Sequence, residues 1–475
     1  MRLTHRKVFW YSILLTVIIL SIVPLIRIAY FDSVLPEDEP YYNARMATYI
    51  MDNKVPSTDP LVERPYHLQP YHLLLGLFTR IFGIYFSSLI IPYIFGIVSI
   101  MFLNFIFRKL KFRPLKTFLI LLILILSPVF IYTFSISTSY CISVFLLIFG
   151  FYLFIKEKKI FSMIVFSIAV LFNVLNLFIG IGILFVFSMH NKSLRKRFYP
   201  VLAAMLIVGF IFYIPFIYYY GFPKMIGIEG SMLVMFISEL GGKFGFNMFN
   251  ILLALLGMYF IWKSKKQVFA YLLLILFTAA FFYFNYIGIY LNVIVAVLAG
   301  YGFYGLMIMK WTLKSVKKLT ALVLVLSLLF SAGFYIARTS SAIPDDAMIE
   351  SLEWLREESD KGDIIFSHYS NGFWIETVSQ RPVILDNYYN YIDSVDMRFN
   401  NSEELFFSRN LDNTIELLDK YNVKYIFITP EMKKGLVWER EKEGLLFLFR
   451  NEQTFKRVYD QDGIEIWQYK LVKEG

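Results

Sequence analysis

Long apolar runs broken by short basic clusters fill the first 337 residues of the chain. Among the runs are Val8–Ile26, Phe86–Phe107, Leu115–Phe134, Tyr140–Ile155, Phe198–Tyr220 and Leu319–Ala337. Several reach the roughly 17–25 residues that a helix needs to cross a bilayer. The first run is read as a retained span, because it is too long for a cleaved leader and Pro24–Arg27 offers no small-residue cleavage site. The clusters between the runs are Arg2, Arg6 and Lys7, then RKLKFR (108–113) with Lys116, KEKK (156–159), Lys192–Arg197, KSKK (263–266) and Lys310–Lys318. Basic residues of this kind mark the cytoplasmic ends of spans. Placing every cluster inside requires an even number of crossings between neighbours. Four of the five intervals allow that directly. The fifth, Ile160–His190, predicts a tight pair of short helices with a break near Asn173–Asn176; the alternative is one long helix and a violated charge rule. The pattern therefore predicts a polytopic α-helical membrane protein of about eleven crossings, multi-pass in the cell membrane. Its N-terminus lies in the cytoplasm and its C-terminus outside.

The pattern changes after Arg338. IPDD (343–346) opens a polar segment in which helix-like stretches (Ala347–Glu358, Asn413–Tyr421) alternate with strand-like runs (Asp363–Phe366, Pro382–Leu385, Lys424–Ile428, Gly463–Tyr469). That order predicts a small extracytoplasmic α/β domain over 339–475, following a membrane domain over 1–338. Composition agrees: the 475 residues are 58% hydrophobic and 17% charged, with a mean hydropathy of +0.59, against about a quarter charged in an ordinary soluble domain. The net charge of +10 divides unevenly. Residues 338–475 hold 17 basic and 26 acidic side chains, and the remainder holds 29 and 10. The basic residues lie between apolar runs, so they report topology and not nucleic-acid binding. The single cysteine, Cys141, excludes an intrachain disulfide.

Of the ten carboxylates before residue 338, seven fall in the first outer loop, 31–72: Asp32, Glu37, Asp38, Glu39, Asp52, Asp59 and Glu63. Two more, Glu229 and Glu239, fall in the outer loop 221–245. The outside is thus where acid–base or metal chemistry is available. Glu37-Asp38-Glu39 is the sharpest feature. Three adjacent carboxylates repel one another, so at least one should have a raised pKa unless a cation stands near. Such a group can act as a general base or bind a divalent ion; it can equally be a solvated charge run. Tyr41, Tyr42, Tyr66 and Tyr71 offer aromatic surface for sugar rings or for the membrane interface. Arg64, His67 and His72 lie in the same loop, and both histidines are read as metal ligands or as packed polar groups.

The stretch DEPYYNARMATYI…VPSTDPL…RPYHLQPYHLLLGLF (38–78) resembles the first outer loop of polytopic glycosyltransferases of the GT-C fold, which use lipid-phosphate-linked sugars. FISELGG (236–242) and FSHYSNGFWIETVSQRPVILDN (366–387) are similar to segments of the catalytic subunit of oligosaccharyltransferase within that superfamily. The chain departs from that subunit at two places. His368-Tyr369-Ser370 replaces its Trp-Trp-Asp, and TFSISTS (133–139) carries no carboxylate where the family has an acidic pair for its metal. The resemblance implies transfer, with inversion, from a polyprenyl-phosphate or dolichyl-phosphate sugar to a glycan, lipid or protein acceptor. It implies Asp38 as the base, with Glu39 assisting. Arg64 and Lys243, beside the two acidic motifs, are the expected cations for the donor phosphate. Tyr41, Tyr42, His67, His72 and Glu239 are the expected acceptor cavity. Asp38 and Glu239 are the expected ligands of a possible Mg2+ or Mn2+. Two rivals remain: a non-catalytic glycan- or lipid-binding protein, and a transporter, which would need ionisable residues deep in its spans and a repeated architecture.

Overall fold

The computed structural model describes residues 3–470 except 32, 53–54, 191, 222–235, 239–242, 263–266, 393 and 441. Fourteen helices precede residue 341 among the residues described. Helix α1 (His5–Tyr30) leads to α2 (Glu39–Asp52), a two-stranded hairpin of β1 (Thr58–Asp59) and β2 (Arg64–Pro65), and α3 (Pro70–Phe82). Then come α4 (Ile84–Lys109), α5 (Pro114–Ile125), α6 (Pro128–Ser135), α7 (Tyr140–Ile155), α8 (Lys159–Phe172), α9 (Leu175–His190) and α10 (Lys192–Tyr220). The set ends with α11 (Met248–Ile261), α12 (Gln267–Phe281), α13 (Ile287–Ile308) and α14 (Lys314–Ser340). By length and hydropathy five helices can cross a membrane: α1, α4, the 194–220 part of α10, α13 and α14. A sixth is the bent pair α5–α6; the other apolar helices are shorter.

Local chemistry explains the breaks. The run Leu115–Phe134 is bent by 66° between α5 and α6. Pro128 cannot continue a helix from behind but starts one well. The Ser127 hydroxyl caps that new start by accepting from the Phe130 N–H at 3.2 Å, and accepts the Asn292 amide at 2.7 Å. Between α8 and α9 the helix breaks at Asn173. Its side-chain oxygen accepts from the Leu175 N–H at 2.9 Å, and the Asn176 amide donates to the Ala169 carbonyl at 2.6 Å. Helices α11 and α13 touch backbone to backbone. A Cβ on Gly257 would strike the Leu298 carbonyl, and one on Gly302 the Leu253 carbonyl, so only glycine permits the approach.

Beyond residue 341 the chain forms α15 (Asp346–Glu358), β3 (Ile364–Phe366), α16 (Val395–Phe407), α17 (Leu411–Lys420), β4 (Val423–Ile428), β5 (Phe455–Gln461) and β6 (Ile464–Tyr469). The sheet order is β3-β4-β6-β5, with β3 parallel to β4 and the other pairs antiparallel. The run Pro382–Leu385, expected as a strand, makes a single bridge, Ile365 to Val383. Strand β5 and helix α16 were not expected from the sequence. β5 is a mostly exposed edge strand without a hydrophobic run.

One apolar core fills the helical bundle. A second fills the C-terminal α/β part and takes in Leu35, Tyr41 and Val62 of the first loop. Arg27, fully buried at the end of α1, ties the two together. Its guanidinium donates to the carbonyls of Ser33 (3.0 Å), Ala342 (2.6 Å) and Pro344 (2.8 Å). These contacts fix α1, the first loop and the entry to the sheet as one unit.

Candidate active site at the start of α2

The acidic run sits where the chain turns into α2. Glu37 has a φ of 65°, a left-handed conformation that costs energy for a residue with a Cβ. Its backbone is pinned from two sides: its N–H donates to the Ile343 carbonyl at 3.0 Å, and its carbonyl accepts the Trp374 indole N–H at 3.2 Å. The turn aims three consecutive carboxylates in different directions. Asp38 precedes the first turn of α2, and its carbonyl accepts the Tyr41 N–H at 3.0 Å. Its carboxylate Oδ2 accepts the Asn387 amide. The positive end of the helix dipole favours negative charge here.

Glu39 points inward and is only 6% exposed. The Tyr132 hydroxyl stands 3.5 Å from its Oε2, and the Tyr388 hydroxyl donates to it. Burial pushes its pKa up to about 7; Lys243 opposes the shift and Asp38 adds to it. Lys243 closes the site from the loop before α11. Its ammonium is 2.6 Å from Glu37 Oε2 and lies over the rings of Tyr132 (4.8 Å) and Phe244 (5.8 Å). Burial alone would lower its pKa, but Glu37, Tyr286 and Asp38 together raise it and keep it charged. The structure thus brings Asp38, Glu39 and Lys243 together. Glu239 lies outside the described residues.

Arg64 is elsewhere. It is buried in a network that sequence reasoning missed. Arg64 binds both oxygens of Asp386 at 2.6 Å and Asp59 at 2.9 Å, while Arg45 binds Asp59 at 2.8 and 2.7 Å and Glu376 at 2.6 Å. Two guanidinium groups face three carboxylates. Burial raises the Glu376 pKa well above its ordinary value, against the pull of Arg45. The loop aspartate and arginines were visible in the sequence, but their partners lie over 300 residues away.

The aromatic and histidine groups also have partners. Tyr42 stacks on Phe373 at 4.8 Å, beneath Arg64 at 5.2 Å. His72 is buried, with Nδ1 2.7 Å from the Tyr66 hydroxyl and Nε2 2.9 Å from Asn43 Oδ1. Burial lowers its pKa to about 3, so it is neutral. His67 packs among Phe212, Tyr213 and Phe216, which also lowers its pKa. Tyr41 bonds Ser33 at 2.7 Å and, with Arg45, Tyr49, Tyr85, Glu353 and Arg356, lines a cavity of about 550 Å3.

Asp59, Glu376 and Asp386 are the described cluster that has metal-ligand spacing, each offering an oxygen within 4.8 Å of the others. Arg45 and Arg64 bind oxygens of all three, while the buried Glu376 Oε1 has no hydrogen-bond partner among the described residues, so a divalent cation here would compete with two guanidinium groups. The second outer loop, 133–139, packs on the first: the Asn43 amide donates to the Ser137 carbonyl at 2.9 Å, and the Tyr71 and Ser137 hydroxyls meet at 2.7 Å. It brings hydroxyls to this wall, not carboxylates.

No protein-family model matches the sequence, and no curated protein matches it. Solved structures do match in fold. The apo oligosaccharyltransferase of Archaeoglobus fulgidus superposes with a TM-score of 0.68 at 14% identity, covering 99% of this chain and 75% of that one. The same enzyme was solved with zinc and sulfate; that structure gives 0.64 at 16% identity, over 96% of this chain and 73% of its own. ArnT from Cupriavidus metallidurans bound to undecaprenyl phosphate gives 0.56 at 11% identity, over 97% and 98% of the two chains. Mycobacterial arabinofuranosyltransferase AftD gives 0.57 at 12%, over 98% of this chain and 41% of its own. These are glycosyltransferases of the GT-C type, and this chain has the GT-C fold. Among the described residues, five of its helices, or six with the bent pair, are long and apolar enough to cross a membrane.

Proposed function

We propose that the chain is a membrane glycosyltransferase that moves a sugar, with inversion, from a polyprenyl-phosphate donor to an acceptor outside the cytoplasm. The observation that carries this reading is the convergence of Asp38, Glu39 and Lys243 at the start of α2 in a chain with the GT-C fold. Asp38, oriented by Asn387, takes the proton of the acceptor nucleophile as that atom attacks the anomeric carbon. The glycosidic bond to the phosphate breaks on the opposite face, and the phosphate leaves as an anion. Lys243 is the cation available to stabilise that charge. Glu39, with a pKa near neutrality, relays or holds a proton beside Asp38. The cavity lined by Tyr41, Tyr49 and Tyr85 supplies aromatic faces and charged rims suited to a hydroxylated acceptor. No step is routed through the Mg2+ or Mn2+ expected from the sequence on Asp38 and Glu239.

The similarity to an oligosaccharyltransferase favours a second reading, transfer to protein. His368 to Ser370 stand where that family grips its acceptor. Here His368 and Tyr369 line a cavity of about 140 Å3 with Phe406 and Glu403, which supports a different acceptor. The test is direct. Purified full-length protein is incubated with labelled undecaprenyl- and dolichyl-phosphate-linked hexoses and pentoses, and sugar loss from the lipid is followed. Turnover of one donor that Asp38→Asn abolishes is the expected result. Tight binding of a donor without any sugar release would make the chain a lipid- or glycan-binding protein instead.

A further inference from the structure

We infer that the Lys243 ammonium occupies the place of a divalent metal ion, so that this transferase works with a built-in cation. The inference rests on the transferase reading above. Three observations carry it. Lys243 makes its ion pair with Glu37 at 2.6 Å, within an acidic run of three. Its ammonium is seated over the faces of Tyr132 and Phe244, which fix its direction. The loop packed against α2 offers Ser135, Ser137 and Thr138 in place of a second set of carboxylates.

These observations bear on one balance of charge. A divalent ion needs several anionic oxygens to offset its dehydration. Of the carboxylates at the start of α2, Glu37 is bound to Lys243, Asp38 to the Asn387 amide, and Glu39 is buried against two tyrosines. A metal would meet an ammonium already in place and would be repelled by it. The ammonium supplies one positive charge in a partly buried site, where charge stabilisation is stronger than in water. It also tempers the mutual repulsion of Glu37, Asp38 and Glu39, which the strained turn at Glu37 forces together.

Two measurements test this on the full chain. The first is metal binding without turnover. Mn2+ alone is added to metal-stripped protein, and electron paramagnetic resonance of free Mn2+ and the thermal midpoint are followed. Neither should change for the native chain. A bound-Mn2+ signal or a rise in the midpoint that Asp38→Asn removes would overturn the inference, whether or not a donor has been found. The second is activity on the donor identified by sugar release. EDTA should leave the native rate within about twofold. Lys243→Met should lower it by roughly 10²-fold, the range for losing one preorganised charge, with Lys243→Arg retaining more. A native rate that EDTA abolishes and Mg2+ or Mn2+ restores would also overturn it. Absence of turnover of every donor tested, with or without metal, counts against the transferase reading itself; the Mn2+ measurement then still decides the metal question.

Discussion

Burial separates Glu39 from its two acidic neighbours, and the consequences can be measured at that residue. Its pKa is raised to about 7 from an ordinary carboxylate value, first by burial, then by Asp38, and against the pull of Lys243. A folded-state pKa above the unfolded one means that the folded chain holds the proton longer. Stability contributed by this group is therefore full below about pH 4 and falls as pH rises to about 7, by about 3 kcal/mol if the shift is complete. Glu39→Gln should remove that fall, so the thermal midpoints of variant and native chains should coincide at pH 4.5 and diverge in favour of the variant at pH 8. A native chain with no pH dependence over this range would place Glu39 in contact with water. Asp38 differs because it is partly exposed and oriented by Asn387. Asp38→Asn should lower the transfer rate roughly 10²–10⁴-fold with little change in midpoint. The sequence made this site readable, since a run of three carboxylates stands out in an apolar chain. It could not display Asn387 or Tyr388, which arrive from more than 340 residues away.

At the level of elements, charge pairs join the hairpin β1–β2 and helix α2 to the segments 372–379 and 381–387. Arg64→Met would leave Asp59 with Arg45 alone, and Asp386 buried with the Tyr388 N–H but without its charged partner. Breaking such a pair costs about 3–5 kcal/mol, so this variant should express poorly or melt well below the native chain. A donor-phosphate role for Arg64 predicts the opposite pattern, a raised donor KM at an unchanged midpoint. Elements with a local cause were legible in advance. The α8–α9 break lies at Asn173 because asparagine side chains there compete with the helix backbone, and α15 follows its helical periodicity closely. Elements with a distant cause were not. The run Pro382–Leu385 has strand-like residues, yet Val383 donates its N–H to the Leu61 carbonyl at 3.1 Å and the segment serves to carry Asp386 and Asn387 to the first loop. The bend between α5 and α6 was hidden in one continuous apolar run, although Ser127-Pro128 was its local signal.

For the whole molecule, the proposed chemistry depends on which side of the membrane α2 and the sheet share. They share one side whatever its identity, because Arg27, Arg45, Arg64 and Asn387 bind the first loop to residues 340–387. By the charge rule that side would be the outside, since the rule assigns to the cytoplasm the segments holding 22 of the 29 basic residues before Arg338. Eleven crossings follow if the five long spans, the bent pair α5–α6 and the five shorter apolar helices each cross once. Cys141 is buried, so added cysteines can report without interference from it. Lys361 is exposed on the sheet side and Lys158 is exposed between α7 and α8. In intact cells a membrane-impermeant maleimide should label Lys361→Cys at once, and Lys158→Cys only after lysis. The reverse pattern would place Asp38 and Lys243 in the cytoplasm and end the reading of transfer outside the cell. Labelling of both before lysis would break the even count between the clusters at 108–116 and 156–159, and with it the assignment of α5 to α7.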